Sequence, residues 1–419
     1  MKKVLIITYY WPPSGGGGVQ RWLKFVKYLP QFGWEPIVYS PDNPEYPSID
    51  ESLQKDISSS LRHITQPIFE PYNFYKKFVG LKKNDRINTG FLAENEKPKK
   101  AEDIAVWIRG NLFIPDARKY WIKPSIKYLK KYLDENPVDL VVTTGPPHSM
   151  HLIGLGLKKK LRIKWLADFR DPWTKIDFYN ELKLSARSDK KHRKLEKEVL
   201  DNADAIVAIG DGVIKNLPPI PSTTPISIIP NGYDEDDFDA INRTKSQNYI
   251  LSHFGSINKT RNPEGLWRAI VELKDQKPEI LDKLKVKLYG KVDIQVLKMV
   301  ETLDIMDYVE IIDYLPHSMM IQELVNSNAL VLMINRVENA DRITTGKIFE
   351  YLGSGLPVLG IGPPEGDAAQ IIQKAEAGVM LDWEDVQGIK EYLVNLIMEE
   401  KDCLLYTSDA ADDQWRVEV

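Results

Sequence analysis

Apolar residues fall into two alternating rhythms along this chain. Short β-branched runs mark strands buried on both faces, and apolar residues every three to four positions mark helices packed against them. Lys3 to Tyr9 (KVLIITY) reads as the first strand, followed by a loop of Pro12, Pro13, Ser14 and four glycines, Gly15 to Gly18. Trp22, Leu23, Val26 and Leu29 then give a helix over Val19 to Leu29, capped by Gly33, and Glu35 to Tyr39 is a second strand. A β-loop-α-β start predicts a doubly wound parallel sheet.

From about Asp42 to Lys119 the rhythm is lost. Prolines, aromatics and the basic pairs Lys76-Lys77, Lys82-Lys83 and Lys99-Lys100 describe an irregular insertion. Regularity returns with a helix near Pro124 to Leu133, a strand at Asp139 to Thr143 and a helix from His148 to Lys159. Strands are expected at Lys164 to Ala167, Ala205 to Ile209 and Pro225 to Ile229, with a helix N-capped by Ser188 and running to Asn202. An acidic connector, Tyr233 to Asn248, leads to a second half. There, strands are expected at Tyr249 to Gly255, Lys285 to Tyr289, Val309 to Ile312, Ala329 to Met333 and Pro357 to Ile361, and a last helix at Val386 to Glu399. The fold class is therefore α/β, with two Rossmann-like doubly wound domains, 1–231 and 249–402, expected to face each other across a cleft.

Composition narrows the function. The 419 residues carry 56 basic and 60 acidic side chains, a net charge of −4, which disfavours a nucleic-acid binder. The single cysteine, Cys403, excludes a disulfide framework and a cysteine zinc site, and the six histidines lack metal-ligand spacing. No apolar run suits a signal peptide or a membrane span, so a cytoplasmic protein is expected. The tail from Cys403 is set apart: CLLYTSDAAD resembles a translated sequencing-library transposase adapter, so 403–419 is expected to be non-native and the natural C-terminus missing.

Candidate chemistry gathers at strand ends. The glycine run can bring backbone N–H groups against a phosphate or carboxylate, or be a plain turn; no Gly-Lys-Ser/Thr follows, so it is not a P-loop. In TTGPPHS, His148 opens a helix just past a strand, placed to hold a phosphate, orient a hydroxyl or shuttle a proton, or merely to cap the helix. ADFRDPW packs Asp168, Arg170 and Asp171 beside Trp173, offering carboxylates to sugar hydroxyls and a ring to a sugar face; the bland alternative is an ion pair at a strand end. His63, His192, His253 and His317 read as isolated surface or core residues. In the second half Ser256, Lys259 and Arg261 follow a strand, where two cations suit a diphosphate. Thr344, Thr345, Gly346 and Lys347 begin a helix with Glu350 one turn on, a place where a carboxylate can accept both ribose hydroxyls.

With both halves read, the chain resembles the family-4 glycosyltransferases of GT-B fold, of the subgroup that builds bacterial surface polysaccharides. The resemblance runs over about Lys2 to Glu399 and rests on YYWPPSGGGGVQR (Tyr9 to Arg21), IPNGYD (Ile229 to Asp234), FGSINKTRNP (Phe254 to Pro263) and GKIFEYLGSGLPVL (Gly346 to Leu359). It implies metal-independent transfer of a sugar from a UDP- or GDP-linked donor, with retention, to a glycan or lipid-linked glycan. The nucleotide-sugar is a substrate, and no cofactor is implied. By this resemblance Gly16 and Gly17 lie by the donor phosphates or acceptor, Lys259 and Arg261 hold the diphosphate and Glu350 the ribose, with Ser256, Thr345, Gly346 and Lys347 beside them. Arg170, Asp171 and His148 are the catalytic candidates, and no protein nucleophile is needed. Two positions depart from the family: Arg342 stands where a glutamate is usual, leaving Glu338 or backbone N–H groups near Thr344 to Lys347 to serve, and Arg170 stands where a histidine is usual. A nucleotide-sugar epimerase and a catalytically silent nucleotide-sugar-binding protein are the alternatives. Trp107, Phe113, Tyr120 and Trp121 of the insertion are expected at an anionic membrane surface.

Overall fold

Alternate residues of the first strand supply two different cores. Leu5 and Ile7 join one apolar cluster with Ile37, Tyr39 and Val141, while Val4 and Ile6 join another with Val38, Leu23 and Val142. A strand can be apolar on both faces only if both faces are covered, which is how an uninterrupted run such as KVLII comes to lie in a parallel sheet. The computed structural model describes residues 1–46, 48–70, 99–176, 179–239, 241–244 and 246–398. The basic pairs at Lys76 and Lys82 and the tail from Cys403 lie outside them.

The chain divides into two units, the first ending at Pro230 and the second beginning at Asn231. The first runs β1 (Lys2–Ile7), α1 (Gly17–Tyr28), β2 (Trp34–Pro41), β3 (Arg62–Gln66), α2 (Lys99–Leu112), α3 (Lys119–Glu135), β4 (Leu140–Gly145), α4 (Ser149–Lys160), β5 (Trp165–Phe169), α5 (Ala186–Asn202), β6 (Ala205–Ala208), α6 (Asp211–Asn216) and β7 (Ile226–Ile228). Its seven strands lie in the order β3-β2-β1-β4-β5-β6-β7, and every pair is parallel.

The second unit runs β8 (Tyr249–Phe254), α7 (Glu264–Gln276), α8 (Pro278–Leu281), β9 (Leu284–Tyr289), α9 (Ile294–Thr302), β10 (Val309–Ile312), α10 (His317–Val325), β11 (Ala329–Met333), α11 (Lys347–Gly353), β12 (Val358–Ile361), α12 (Asp367–Lys374), β13 (Gly378–Leu381) and α13 (Val386–Met398). Its parallel order is β10-β9-β8-β11-β12-β13. In both units the strand order reverses between the first strand and the fourth, and the carboxyl ends at such a reversal are where doubly wound sheets bind ligands.

Several expectations need correction. The stretch 42–119 is not wholly irregular: it contributes the edge strand β3 and the helix α2. The helix expected from Pro124 begins a turn earlier at Lys119 and carries Pro124 inside it. Ser188 is not the N-cap of α5; that role falls to Ser185, whose hydroxyl accepts from the Ser188 N–H, a bond contributing about 1 kcal/mol. Trp121 is not an interface residue, since it is buried and stacked on Tyr39 with ring centroids 4.9 Å apart.

Candidate functional site

The first-unit residues meet where β1, β4 and β5 end. Asp168, the penultimate residue of β5, is fully buried. It pairs with Arg21 of α1 at 2.9 Å and accepts from Trp22 Nε1 at 2.8 Å and Thr144 Oγ1 at 2.7 Å. Burial alone would raise its pKa, but the Arg21 charge and these three donors outweigh it and hold the carboxyl below its usual range. Arg21 also donates to the Pro230 carbonyl at 2.9 Å. Asp168 thus ties α1 to the ends of β4 and β5, and it is not offered to a sugar as the sequence suggested. Trp173 is likewise taken: it is buried face to face with His148 at 4.7 Å, and its Nε1 donates to His192 Nδ1 at 3.0 Å.

Arg170 stands beyond the strand and spans two loops. Its guanidinium donates to the Gly18 carbonyl at 3.0 Å and to the Pro146 carbonyl, and its Nε has no partner. The glycine loop and the Pro146–His148 loop are therefore joined through one cation. Gly16 has φ +86°, which an L side chain rarely adopts, and a side chain at Gly17 would meet only open space. Asp171 lies close enough for its charge to favour the Arg170 cation, against burial that disfavours it.

His148 and His151 flank Gly145 with unpartnered nitrogens. A Cβ built on Gly145 would stand 2.6 Å from His151 Nε2 and 3.0 Å from His148 Nδ1, and neither nitrogen has a hydrogen-bond partner. The Thr143 hydroxyl takes a bond from Trp165 Nε1 and lies 2.9 Å from His151 Nδ1. Burial, then neighbouring charge, keeps His148 far below the ordinary histidine range, and burial pushes His151 down to about 3. Both rings are neutral at physiological pH, and each keeps one buried nitrogen whose hydrogen-bonding capacity is unused.

The second-unit residues surround the end of β8. Gly255 has φ +122°, and a Cβ there would fall 2.3 Å from Lys347 Nζ. A Cβ built on Gly290, just past β9, would stand 3.1 Å from the Gly255 carbonyl carbon. Only glycine lets the turn pass between β9 and the lysine. Arg261 donates from Nε to Asn335 Oδ1 at 2.7 Å and from a terminal nitrogen to the Ser256 carbonyl at 3.0 Å. Lys259 is exposed two residues before it. No hydrogen bond or ion pair ties Lys347 among the described residues. Burial, then the nearby Arg261 charge, lowers its pKa to about 7, with Glu350 acting in the opposite sense. The buried Thr345 hydroxyl is also unpartnered. Gly346 is exposed just before α11.

Sequence reading missed two partners. His317, read as isolated, lies at the start of α10 with Nε2 3.2 Å from Glu350 Oε1. Asn335, just past β11, orients Arg261; its signal was a polar residue directly after an apolar strand, ALVLMIN. Arg342 is 41% exposed beside Asp341 at 3.5 Å, and Glu338 is exposed.

Comparison with known proteins places this architecture. A sucrose-phosphate synthase from Thermosynechococcus elongatus aligns over 95% of this chain and 90% of its own, with TM-score 0.60 and 14% identity. WaaG, a glycosyltransferase involved in lipopolysaccharide biosynthesis, aligns over 98% and 95%, with TM-score 0.56 and 14% identity. The chain has the GT-B fold. A point mutant of S. aureus TarM, solved with Fondaparinux, alpha-GlcNAc-glycerol and UDP, shares that GT-B architecture over 98% and 96% of the two chains, with TM-score 0.61 and 11% identity. Residues 91–237 of the GT-B chain match the family model described as Glycosyltransferase Family 4. No protein of curated function matches the sequence. Among the described residues no helix is long and apolar enough to cross a membrane.

Proposed function

We propose that this protein is a retaining glycosyltransferase that moves a sugar from a UDP- or GDP-linked donor to a glycan or lipid-linked glycan. The observation that carries the reading is the group of Lys259, Arg261 and Lys347 around the Gly255 turn, with Glu350 one turn along α11. As the glycosidic bond to the donor breaks, negative charge grows on the departing diphosphate, and cations already fixed there stabilise it without reorganisation. Three basic side chains can supply this neutralisation, so transfer is expected to proceed with the divalent ions chelated. Support also comes from the family match over 91–237 and from the solved GT-B proteins, one of which carries UDP.

In the first unit, Arg170 fixes the glycine loop against the loop bearing His148, and the unpartnered His148 Nδ1 is our candidate contact to the sugar or acceptor. Arg342 favours a second reading. An exposed arginine at the place of a usual sugar-binding glutamate is also what a silent nucleotide-sugar-binding protein would show.

The test begins with thermal melts against UDP, GDP, ADP, CMP and NAD, since a ligand at 100 times its dissociation constant adds about 2.7 kcal/mol. Stabilisation by UDP or GDP, followed by acceptor-dependent release of that nucleotide in the presence of EDTA, is the expected result. Glu350→Ala and Lys259→Ala should each weaken nucleotide binding by about 1.5–3 kcal/mol. Stabilisation by NAD alone removes the proposal, and nucleotide binding without transfer to any acceptor selects the silent reading.

A further inference from the structure

Glu350 is not held by its own helix alone. His317 enters from α10, 93% buried by area, and its Nε2 stands 3.2 Å from Glu350 Oε1. A carboxylate only accepts, so Nε2 carries the hydrogen and donates. On the other side of the ring Asp237 places Oδ2 4.0 Å from Nδ1, and that carboxylate too is almost wholly buried. That separation is beyond hydrogen-bond reach, so Asp237 faces the ring by charge, while the bond to Glu350 and the burial of the imidazole fix how the ring is turned. Three elements distant in sequence thus meet at one imidazole: the acidic connector, the start of α10 and the first turn of α11. Glu350 itself keeps 21% of its side-chain surface exposed, so its second oxygen remains available to a ligand.

We infer that His317 is a positioning residue: buried at the start of α10 beside Asp237, it aims the Glu350 carboxylate at the vicinal hydroxyls of a bound nucleotide's ribose. This rests on the proposed nucleotide site and adds to it a residue whose task is specificity for ribose. With the imidazole in place, one Glu350 oxygen is anchored and the carboxylate plane is set before the nucleotide arrives. Without it the side chain must be ordered by the ligand, which weakens the bidentate grip on the diol.

The experiment measures dissociation constants of UDP and GDP and of their 2′,3′-dideoxy counterparts on the full chain, for wild type, His317→Ala, His317→Gln and Glu350→Gln. Thermal melts check that each variant is folded. Wild type should prefer the ribonucleotide. His317→Ala should weaken it about tenfold while leaving the dideoxy form unchanged. His317→Gln, whose amide N–H2 can reach where Nε2 stood, should restore most of the preference, which a role in folding alone would not produce. If His317→Ala keeps the wild-type preference while Glu350→Gln loses it, the role of His317 is overturned and the ribose site stands. Equal weakening of ribo and dideoxy forms also overturns it. A wild type that binds nucleotide without regard to the hydroxyls, or not at all, takes down the ribose site and this inference together.

Discussion

Lys347 shows how one residue can carry both a cost and a use. Its native pKa of about 7 lies far below that of a free lysine, so the unfolded chain binds the extra proton at any pH between the two. The empty site therefore loses stability as pH falls from about 10.4 towards 7 and is level below that. A diphosphate beside the ammonium reverses the balance of charge and favours protonation. Binding of UDP or GDP at pH 7.5 should then draw up to about one proton from solution. Calorimetry in two buffers of different ionisation enthalpy should show this uptake in wild type and lose it in Lys347→Met. Equal uptake in both would place the anion elsewhere. Asp168 is the opposite case, a buried charge whose partners are all internal. Asp168→Asn leaves Arg21 buried without its counter-ion and should cost about 3–5 kcal/mol in denaturant unfolding. A loss below 1 kcal/mol would mean that Arg21 finds another partner.

At the scale of elements, periodicity located most of the sheet but not its margins. Core strands such as β1 and β11 carry uninterrupted apolar runs, Val4 to Ile7 and Ala329 to Met333, and were legible for that reason. The edge strand β3 buries only Ile64 well and reads RHITQ, a pattern that polar loops share. The strand β13 was missed because it starts with a glycine and buries only Met380 of its four residues. Polar side chains with tertiary partners were the least legible: nothing in the text near His317 points to Glu350, 33 residues away. The helix α2 and the loop after it raise a separate question. Trp107, Leu112, Tyr120 and Phe69 are 45%, 53%, 45% and 59% exposed, Phe69 meets Tyr120 edge-on at 5.6 Å, and the Lys119 ammonium lies 4.8 Å from the Tyr120 ring. Aromatic rings beside a cation suit the headgroup layer of an anionic bilayer. Phe69→Ser with Tyr120→Ser should reduce co-sedimentation with phosphatidylglycerol vesicles severalfold. Binding indifferent to those changes, or to lipid charge, would mean that this patch does not dock on membrane.

For the whole molecule, the histidines set the response to acid. His63, His148, His151, His192 and His253 all have native pKa values lowered by burial, and four of these five lie in the first unit. In the unfolded chain each would titrate near 6.5, so above that pH neither state gains a proton and these groups cost nothing. As pH falls below 6.5 the unfolded chain takes up protons that the native rings refuse, and stability drops, by up to about 1.4 kcal/mol per pH unit for a ring that stays neutral in the native state. For His151 the loss continues down to its native value of about 3. Burial raises the carboxyls of Glu70 and Glu196 instead, so these two take up protons first in the native state and offset part of the loss. The contribution of one ring is isolated by His151→Asn, whose side-chain oxygen can still accept from the Thr143 hydroxyl. Unfolding free energies measured in urea from pH 7.5 to 5 should fall with acid in both proteins, and less steeply in the variant by about one proton. Parallel curves would mean that His151 takes up its proton in the folded state, with Asp168 close enough to hold it there.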